Sequence, residues 1–184
     1  RSGDQFKVFK IMKTITFRAM GSRILIAMDT DDLEVMDEAL KARAWFEEWE
    51  ESLSRFRLTS EISQVNRRSG MPVKVSHTFL EIALRAQKVS RRTNGLVSPL
   101  ILNALISAGY SETFEDMVKR TDLDLRIPAA LSLNGIQEFT VDDVRQTVTV
   151  SAGMQLDFGG FAKGWAAHQT MLRLRTYAPV LVDA

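Results

Sequence analysis

The chain has 184 residues, 45% of them hydrophobic, and a formal net charge of +1 at pH 7, which favours one buried core and a single domain. The near-zero charge provides no field for binding nucleic acid, and the absence of cysteine excludes disulfides, thiolate metal sites and a cysteine nucleophile. No apolar run approaches the roughly 18 residues of a transmembrane helix, so no transmembrane segment is predicted.

The N-terminal part predicts an extension followed by two strands. Residues 1–12 are interpreted as an extension or tag, and the domain as residues 13–184. Apolar and polar residues alternate over Lys13–Asp29 and are interrupted by the turn Ala19–Ser22, which predicts a pair of strands.

Asp31–Ser54 predicts one long helix, with Asp31 as its cap and Glu34 three residues later. Its apolar residues fall on two predicted faces, one of Leu33, Met36, Leu40 and Ala44, the other of Trp45, Trp49 and Leu53. A helix with two apolar faces is expected to lie between layers, so the aromatic residues are interpreted as core.

The middle of the chain alternates helix signals with turn signals. The predicted elements are a short helix over 59–65, an extended piece over 72–75, a helix capped by Ser76 and ended by Thr93-Asn94-Gly95, and a helix over 99–110. Residues 111–134 lack a clear period and are predicted as a loop.

The C-terminal part predicts a hairpin, a helix and a last strand. The hairpin covers 138–150 with its turn at 141–143, the helix runs to about Tyr177, and Val180–Val182 is predicted as a buried strand. With strands grouped at both ends and helices between them, the predicted fold class is α+β.

The most informative run is Leu156–Ala166, between the hairpin and the last helix. Asp157, two glycines and Lys163 one turn into the helix are suited to a phosphate ligand, because free N–H groups at a helix start favour anions. The run matches neither a Walker A loop nor G-x-G-x-x-G. A tight strand-to-helix turn explains the same residues, and the spacing alone does not decide between the two.

Four motifs in this order resemble the ApbE family of Mg-dependent FAD:protein FMN transferases. They are Ala19-Met20-Gly21-Ser22; Leu53-Ser54-Arg55-Phe56-Arg57 with Ser60–Ser63 and Asn66; Thr93-Asn94-Gly95 with Pro99; and Leu156–Gly164. The resemblance implies an ApbE-like (T-fold-like) α+β domain in which mixed or antiparallel strands pack with helices. It also implies transfer of FMN from FAD to a threonine or serine hydroxyl of a target flavoprotein, with release of AMP.

The resemblance assigns roles to eight positions. It implies FAD binding by Met20, Phe56, Leu96, Val97, Ser98, Asp157 and Lys163, and a backbone carbonyl ligand to Mg²⁺ from Gly160. FAD and Mg²⁺ are therefore the expected substrate and metal. The expected protein partner is an acceptor flavoprotein, such as a subunit of a membrane redox complex.

The chain departs from the family pattern at three places. Asn94 and Ser98 replace usual aspartates, and His168 replaces a frequent aspartate; His168 and His77 are interpreted as surface residues. The third departure is the end at Ala184, before the carboxylate and threonine that hold Mg²⁺ in the family. We therefore expect the N-terminal two-thirds of the enzyme, with its metal-ligand carboxylates beyond Ala184 and a fragment that is inactive alone.

Two other functions fit the same motifs. Water in place of the acceptor hydroxyl would give an FAD pyrophosphatase, and the changed aspartates favour a non-catalytic FAD-binding protein. The sequence leaves the compartment open: extracytoplasmic or membrane-associated if the chain follows the family, cytoplasmic if Met12 is the native start.

Overall fold

A computed structural model describes residues 12–113 and 139–184 of the chain. In chain order the elements are β1 (Lys13–Ala19), β2 (Ser22–Met28), α1 (Leu33–Leu40), α2 (Ala42–Leu53), α3 (Glu61–Arg67), β3 (Val73–Lys74), α4 (His77–Arg92), α5 (Leu102–Ser107), β4 (Phe139–Asp142), β5 (Thr147–Val150), α6 (Gly159–Leu174) and β6 (Val180–Asp183). The predictions for the N-terminal extension and the loop over 111–134 lie outside the described residues, apart from Met12 and residues 111–113.

The first sheet has the strand order β1-β2-β6, and both pairings are antiparallel. Met20 and Gly21 connect β1 to β2 with φ values of 50° and 70°. Two left-handed central residues form the tight turn whose twist matches paired strands, so the predicted hairpin is confirmed. The last strand differs from the prediction, because β6 lies at the sheet edge and Leu181 is 55% exposed.

The second sheet has the order β3-β5-β4, also with antiparallel pairings. The predicted turn at 141–143 is placed too early, because Val141 and Asp142 belong to β4 and pair with β5. The Asp142 carboxylate accepts a hydrogen bond from the Arg145 N–H at 2.9 Å, and this Asx-type contact moves the turn to residues 143–146.

The predicted single helix over 31–54 is wrong, because the chain forms two helices separated at Lys41. The Lys41 N–H bonds to the carbonyl of Glu38, one residue short of α-helical spacing, at 3.1 Å. The cap is Asp32, whose side chain accepts from Glu34 N–H, and not Asp31.

The buried face of these two helices also differs from the predicted first stripe. Leu33 and Leu40 are 71% and 57% exposed. The buried residues recur three or four positions apart and are Ala39, Ala42, Phe46, Trp49 and Leu53. This face is buried because it removes the large rings of Phe46 and Trp49 from water, and the free energy gained scales with the apolar area removed from water.

The predicted Ser76 cap of α4 is confirmed, and the structure shows that the Ser60 side chain caps α3. α4 ends where Asn94 and Gly95 take left-handed φ values of 49° and 82°, as predicted. α5 is shorter than predicted, because the Pro99 carbonyl bonds outside the helix and Gly109, at φ 91°, ends it.

One hydrophobic core joins both sheets to the helices. A chain of ring contacts runs through Phe17, Phe46, Trp49 and Trp165, with centroids 5.1–5.5 Å apart. The interpretation of the α2 aromatics as core is therefore confirmed for Trp49, whereas Trp45 is only partly buried against the core. The fold is α+β as predicted. Within the described ranges, no helix has the length and apolar character needed to cross a membrane.

Candidate functional site

The segment before α6 is held in place by contacts from two distant parts of the chain. The buried Asn66 amide donates to the Leu156 carbonyl at 2.9 Å and accepts from the Leu156 N–H at 2.7 Å. The Asp157 N–H donates to the Pro99 carbonyl at 2.8 Å. Asp157 therefore lies in an irregular segment, and its backbone is fixed by side-chain and loop partners.

A cleft of about 380 Å³ lies beside this segment, in the range typical of small-molecule sites. The β1–β2 turn, the end of α2 with the loop after it, the residues after α5 and the first turn of α6 form its walls. The lining residues are Met20, Gly21, Glu50, Leu53, Ser54, Arg55, Phe56, Arg57, Tyr110, Thr113, Asp157, Phe158, Gly159, Ala162 and Lys163. Four of the predicted FAD-binding residues therefore meet at one cleft: Met20, Phe56, Asp157 and Lys163.

Asp157 has partners for both of its carboxylate oxygens. Its Oδ2 lies 2.7 Å from Arg55 Nε, and both side chains are more than nine-tenths buried. Its Oδ1 accepts from the Gly159 N–H at 2.7 Å. The carboxylate thus lies between a cation and the start of a helix, both of which stabilise negative charge.

The start of α6 is less open to anions than the sequence predicts. The Asp157 carboxylate accepts from the Gly159 N–H. The Phe158 carbonyl accepts from the N–H groups of Phe161 and Ala162, each at 2.8 Å. Of the first four N–H groups of α6, that leaves only the Gly160 N–H without a protein acceptor in the described chain. The Asp157 carboxylate therefore occupies part of the helix start at which the sequence predicts a phosphate ligand.

Among the described residues, Lys163 is the cation of the cleft whose charge has no partner. It is half-buried on the first turns of α6, and its side-chain ammonium has no ion pair or hydrogen bond within residues 12–113 and 139–184. The Arg57 charge, in contrast, is shared among Glu47, Glu50 and Glu51 at 2.8, 3.6 and 3.9 Å. An anionic ligand in the cleft would therefore find, at Lys163, a positive charge that no described carboxylate neutralises.

The charges around Arg57 also keep it protonated. Partial burial opposes the charged form, but the hydrogen bond to Glu47 and the nearby charges of Glu50 and Glu47 outweigh it and raise the pKa of Arg57. Glu50 has a second role, because its Oε2 accepts from the Met20 N–H at 3.1 Å. This bond ties the β1–β2 turn to α2 at the edge of the cleft.

The remaining predicted FAD-binding residues, Leu96, Val97 and Ser98, are not among the residues that line the cleft. They lie in the turn after α4, where Leu96 is 79% exposed and Val97 is 43% exposed. The segment nevertheless ends at Pro99, whose carbonyl accepts from Asp157. Their contact with FAD stays a prediction.

The two positions that lack the usual aspartates have local structural roles. Asn94 takes a left-handed φ, which asparagine tolerates better than most residues. The Ser98 hydroxyl accepts from the Leu100 N–H at 3.1 Å. His77 and His168 are exposed, as interpreted from the sequence.

Sequence reasoning gave no role to three cleft residues: Arg55, Glu50 and Tyr110. Arg55 belongs to the Leu53–Arg57 motif. Its role was missed because that role depends on a buried ion pair with Asp157, which belongs to another motif. Glu50 and Tyr110 carried no sequence signal, because each acquires its place in the cleft only when α2 and the end of α5 pack beside α6.

The described residues do not fit a Mg²⁺ site by themselves. No group of three or more His, Cys, Asp or Glu suited to a metal occurs in the part of the chain that the structure describes. Both Asp157 oxygens already have partners. Mg²⁺ needs near-octahedral oxygen coordination, so the predicted Gly160 carbonyl alone could not hold it.

Known proteins resemble this chain in fold and in sequence pattern. The family model described as the ApbE family matches residues 20–184. Similar solved structures are the ApbE protein of Thermotoga maritima (21% identity, TM-score 0.75), an apo Pseudomonas stutzeri flavinyl transferase ApbE (20%, 0.75) and the flavin transferase ApbE of Vibrio cholerae (20%, 0.73). No curated protein matches the chain significantly.

The overlap with these structures is unequal. The three cover 94%, 95% and 94% of this chain, whereas the chain covers 56%, 58% and 57% of theirs. The chain therefore spans somewhat over half the length of the solved structures that it matches. Because the family model matches most of the chain and the described fold agrees with it, the chain belongs to the ApbE family.

Proposed function

We propose that this chain carries the flavin-nucleotide site of a flavin transferase, which moves FMN from FAD to a threonine or serine hydroxyl of an acceptor flavoprotein. Membership of the ApbE family supports the proposal, as do the names of its structural neighbours as flavin transferases. The observation that carries it is the cleft, where Lys163, which has no partner among the described residues, shares one cavity with Phe56 and Met20. A cation beside an apolar, aromatic wall suits a ligand that joins phosphates to a planar ring.

In the proposed reaction, the acceptor hydroxyl oxygen attacks the phosphorus on the FMN side of the pyrophosphate. A new phosphorus–oxygen bond forms, the bond between the two phosphates breaks, AMP leaves, and the hydroxyl proton is released. Lys163 would neutralise charge on the pyrophosphate, while Met20 and Phe56 would hold the nucleotide in position. Phosphoryl transfer depends chiefly on such positioning and charge neutralisation.

A second candidate function is FAD binding without catalysis. The specific observation in its favour is the poor fit of the described residues to Mg²⁺, with both Asp157 oxygens engaged by Arg55 and Gly159. When bound, a divalent ion would supply charge neutralisation at the pyrophosphate.

One incubation separates these functions. The chain is mixed with FAD, Mg²⁺ and a peptide that carries the acceptor threonine, and the peptide mass and the released nucleotides are measured. A peptide heavier by one FMN less one water, with equimolar AMP, supports transfer. AMP and free FMN without a peptide adduct indicate hydrolysis, and a flavin fluorescence change without product indicates binding alone. If FAD alters neither flavin fluorescence nor the melting temperature of the chain, the proposal fails.

A further inference from the structure

We propose that Arg55 is a positioning residue of the cleft, which fixes the aromatic wall formed by Phe56 and Tyr110 relative to Asp157 and the start of α6. This inference rests on the proposed function for the identity of the ligand. It deepens that function by assigning the shape of the flavin-nucleotide pocket to a residue whose own charge is not available to the ligand.

The Arg55 side chain contacts two segments that are distant in sequence, through an ion pair with Asp157 and a hydrogen bond to Tyr110. Its Nε lies 2.7 Å from Asp157 Oδ2, and its Nη2 donates to the Tyr110 carbonyl at 2.9 Å. The side chain is only 7% exposed. Removing one member of such a buried pair leaves the other charge uncompensated, so the arrangement is held firmly.

The faces of the guanidinium are used as well. Its central carbon lies 4.1 Å from the Phe56 ring centroid and 4.6 Å from the Tyr110 ring centroid. The two rings meet edge to face, with centroids 6.1 Å apart. A planar, delocalised cation can stack on rings while its edge donates hydrogen bonds, which the point charge of lysine cannot do.

These contacts indicate different roles for the two cations: Arg55 positions the aromatic wall, and Lys163 neutralises charge. The Arg55 charge is balanced by Asp157, whereas Lys163 has no described partner. Phe56 is 40% exposed although Arg55 packs against its ring, so part of the ring remains accessible to a ligand. Loss of the stack should therefore weaken the binding of the flavin ring more than the binding of the phosphates.

The test compares Arg55→Lys with Arg85→Lys, a matched control on the exposed face of α4, where Arg85 pairs with Glu81 at 2.8 Å. The dissociation constants of FAD, riboflavin and ADP are measured by fluorescence and calorimetry at two salt concentrations. We expect Arg55→Lys to weaken FAD and riboflavin about tenfold and ADP much less, since about one stacking contact is lost. Its salt dependence should equal that of the wild type, and Arg85→Lys should change none of these constants.

A double-mutant cycle keeps the inference testable if Arg55→Lys lowers stability. Tyr110→Leu removes one side of the stack but retains the Tyr110 carbonyl that Arg55 uses. The effects of Arg55→Lys and Tyr110→Leu on FAD affinity should be less than additive, because both act through one stack. Circular dichroism and melting curves identify unfolded variants, and affinities are compared only at temperatures where every variant is folded.

The failures of the two proposals are distinguishable. If the wild-type chain binds none of the three ligands, the proposed function and this inference both fail. If the wild type binds FAD but Arg55→Lys behaves like Arg85→Lys, or the two substitutions are additive, only the positioning role is overturned. A larger loss of affinity for ADP than for riboflavin in Arg55→Lys would also overturn it, since that would make Arg55 a direct phosphate ligand.

Discussion

Asp157 and Lys163 lie on the same wall of the cleft but differ in their partners. Asp157 is paired with Arg55 and with the start of α6, while Lys163 has no partner among the described residues. A charged group that already has two partners gains little from a third, whereas a half-buried cation without one gains much from a phosphate. We therefore propose a structural role for Asp157 and a binding role for Lys163.

Lys163→Met tests the binding role. The substitution keeps the apolar stem and removes the charge, so we expect FAD affinity to fall roughly tenfold or more at low salt, as for loss of one charge-assisted hydrogen bond. The remaining affinity should depend less on ionic strength than that of the wild type. His168→Ala, at an exposed position of the same helix, is the control and should bind FAD normally. Equal affinities for Lys163→Met and the wild type would contradict the assignment.

The two adjacent glycines of α6 give a second residue-scale prediction. A Cβ at Gly159 would lie 2.8 Å from Asp157 Oδ1, whereas a Cβ at Gly160 would meet nothing within 4 Å. We expect Gly159→Ala to lower the free energy of unfolding by about 1–3 kcal/mol. Gly160→Ala should leave it unchanged or raise it by up to about 1 kcal/mol, since alanine favours helix. Urea denaturation measures both, and equal effects would show that the Asp157–Gly159 contact is not tight.

Several motif residues act at the scale of elements, where they join neighbouring helices and loops. Ser60 caps α3, and the Ser63 hydroxyl donates to the Arg57 carbonyl at 2.8 Å. Glu61 accepts from the Ser76 N–H and hydroxyl, so the start of α3 is bound to the start of α4. The Ser60–Ser63 motif thus holds the loop that carries Arg55 and Phe56, without lining the cleft itself.

Ser76→Ala tests this link between α3 and α4. The substitution removes the α4 cap, in which the Ser76 hydroxyl accepts from the Phe79 N–H, and the 2.8 Å bond to Glu61. We expect the free energy of unfolding to fall by about 1–2 kcal/mol, as for other lost caps. Ser107→Ala serves as the control, because among the described residues its hydroxyl donates only to the Asn103 carbonyl of the same helix, in an exposed bond. If both variants melt at the same temperature, the cap does not stabilise the domain.

At the scale of the whole molecule, the Asn66 side chain connects α3 to the segment that leads into α6. Its amide satisfies both the N–H and the carbonyl of Leu156, and all of these groups are buried. With the Asp157 bond to Pro99, this contact decides how the C-terminal helix is placed against the N-terminal helices. The cleft depends on that placement, because its walls come from both parts of the chain.

Asn66→Ala should therefore be more damaging than a typical polar substitution. It leaves two buried backbone groups of Leu156 without partners, at a cost of about 1–3 kcal/mol each. Asn103→Ala is the matched control, since Asn103 makes one exposed bond, to the Gly153 carbonyl at 2.7 Å. We expect a clear fall in melting temperature and in FAD affinity for Asn66→Ala only. Similar melting temperatures for the two variants would contradict the role given to Asn66.

The sequence alone determined what depends on local backbone chemistry. The turn at Met20-Gly21, the helix end at Asn94-Gly95 and the cap at Ser76 follow from neighbouring residues and were predicted correctly. The ordered motifs likewise indicated the family and four residues of the cleft. Such features can be predicted from the sequence because each depends on only a few consecutive residues.

Only the tertiary structure decided which groups remain available to a ligand. The break at Lys41, the buried face of α2 and the exposure of Leu181 depend on which surfaces pack together. In the same way, Asp157 is occupied because packing brings Arg55 beside it, and Lys163 is available because packing brings no described carboxylate to it. A charge's partners are set by distance in space, and a motif specifies only neighbours along the chain.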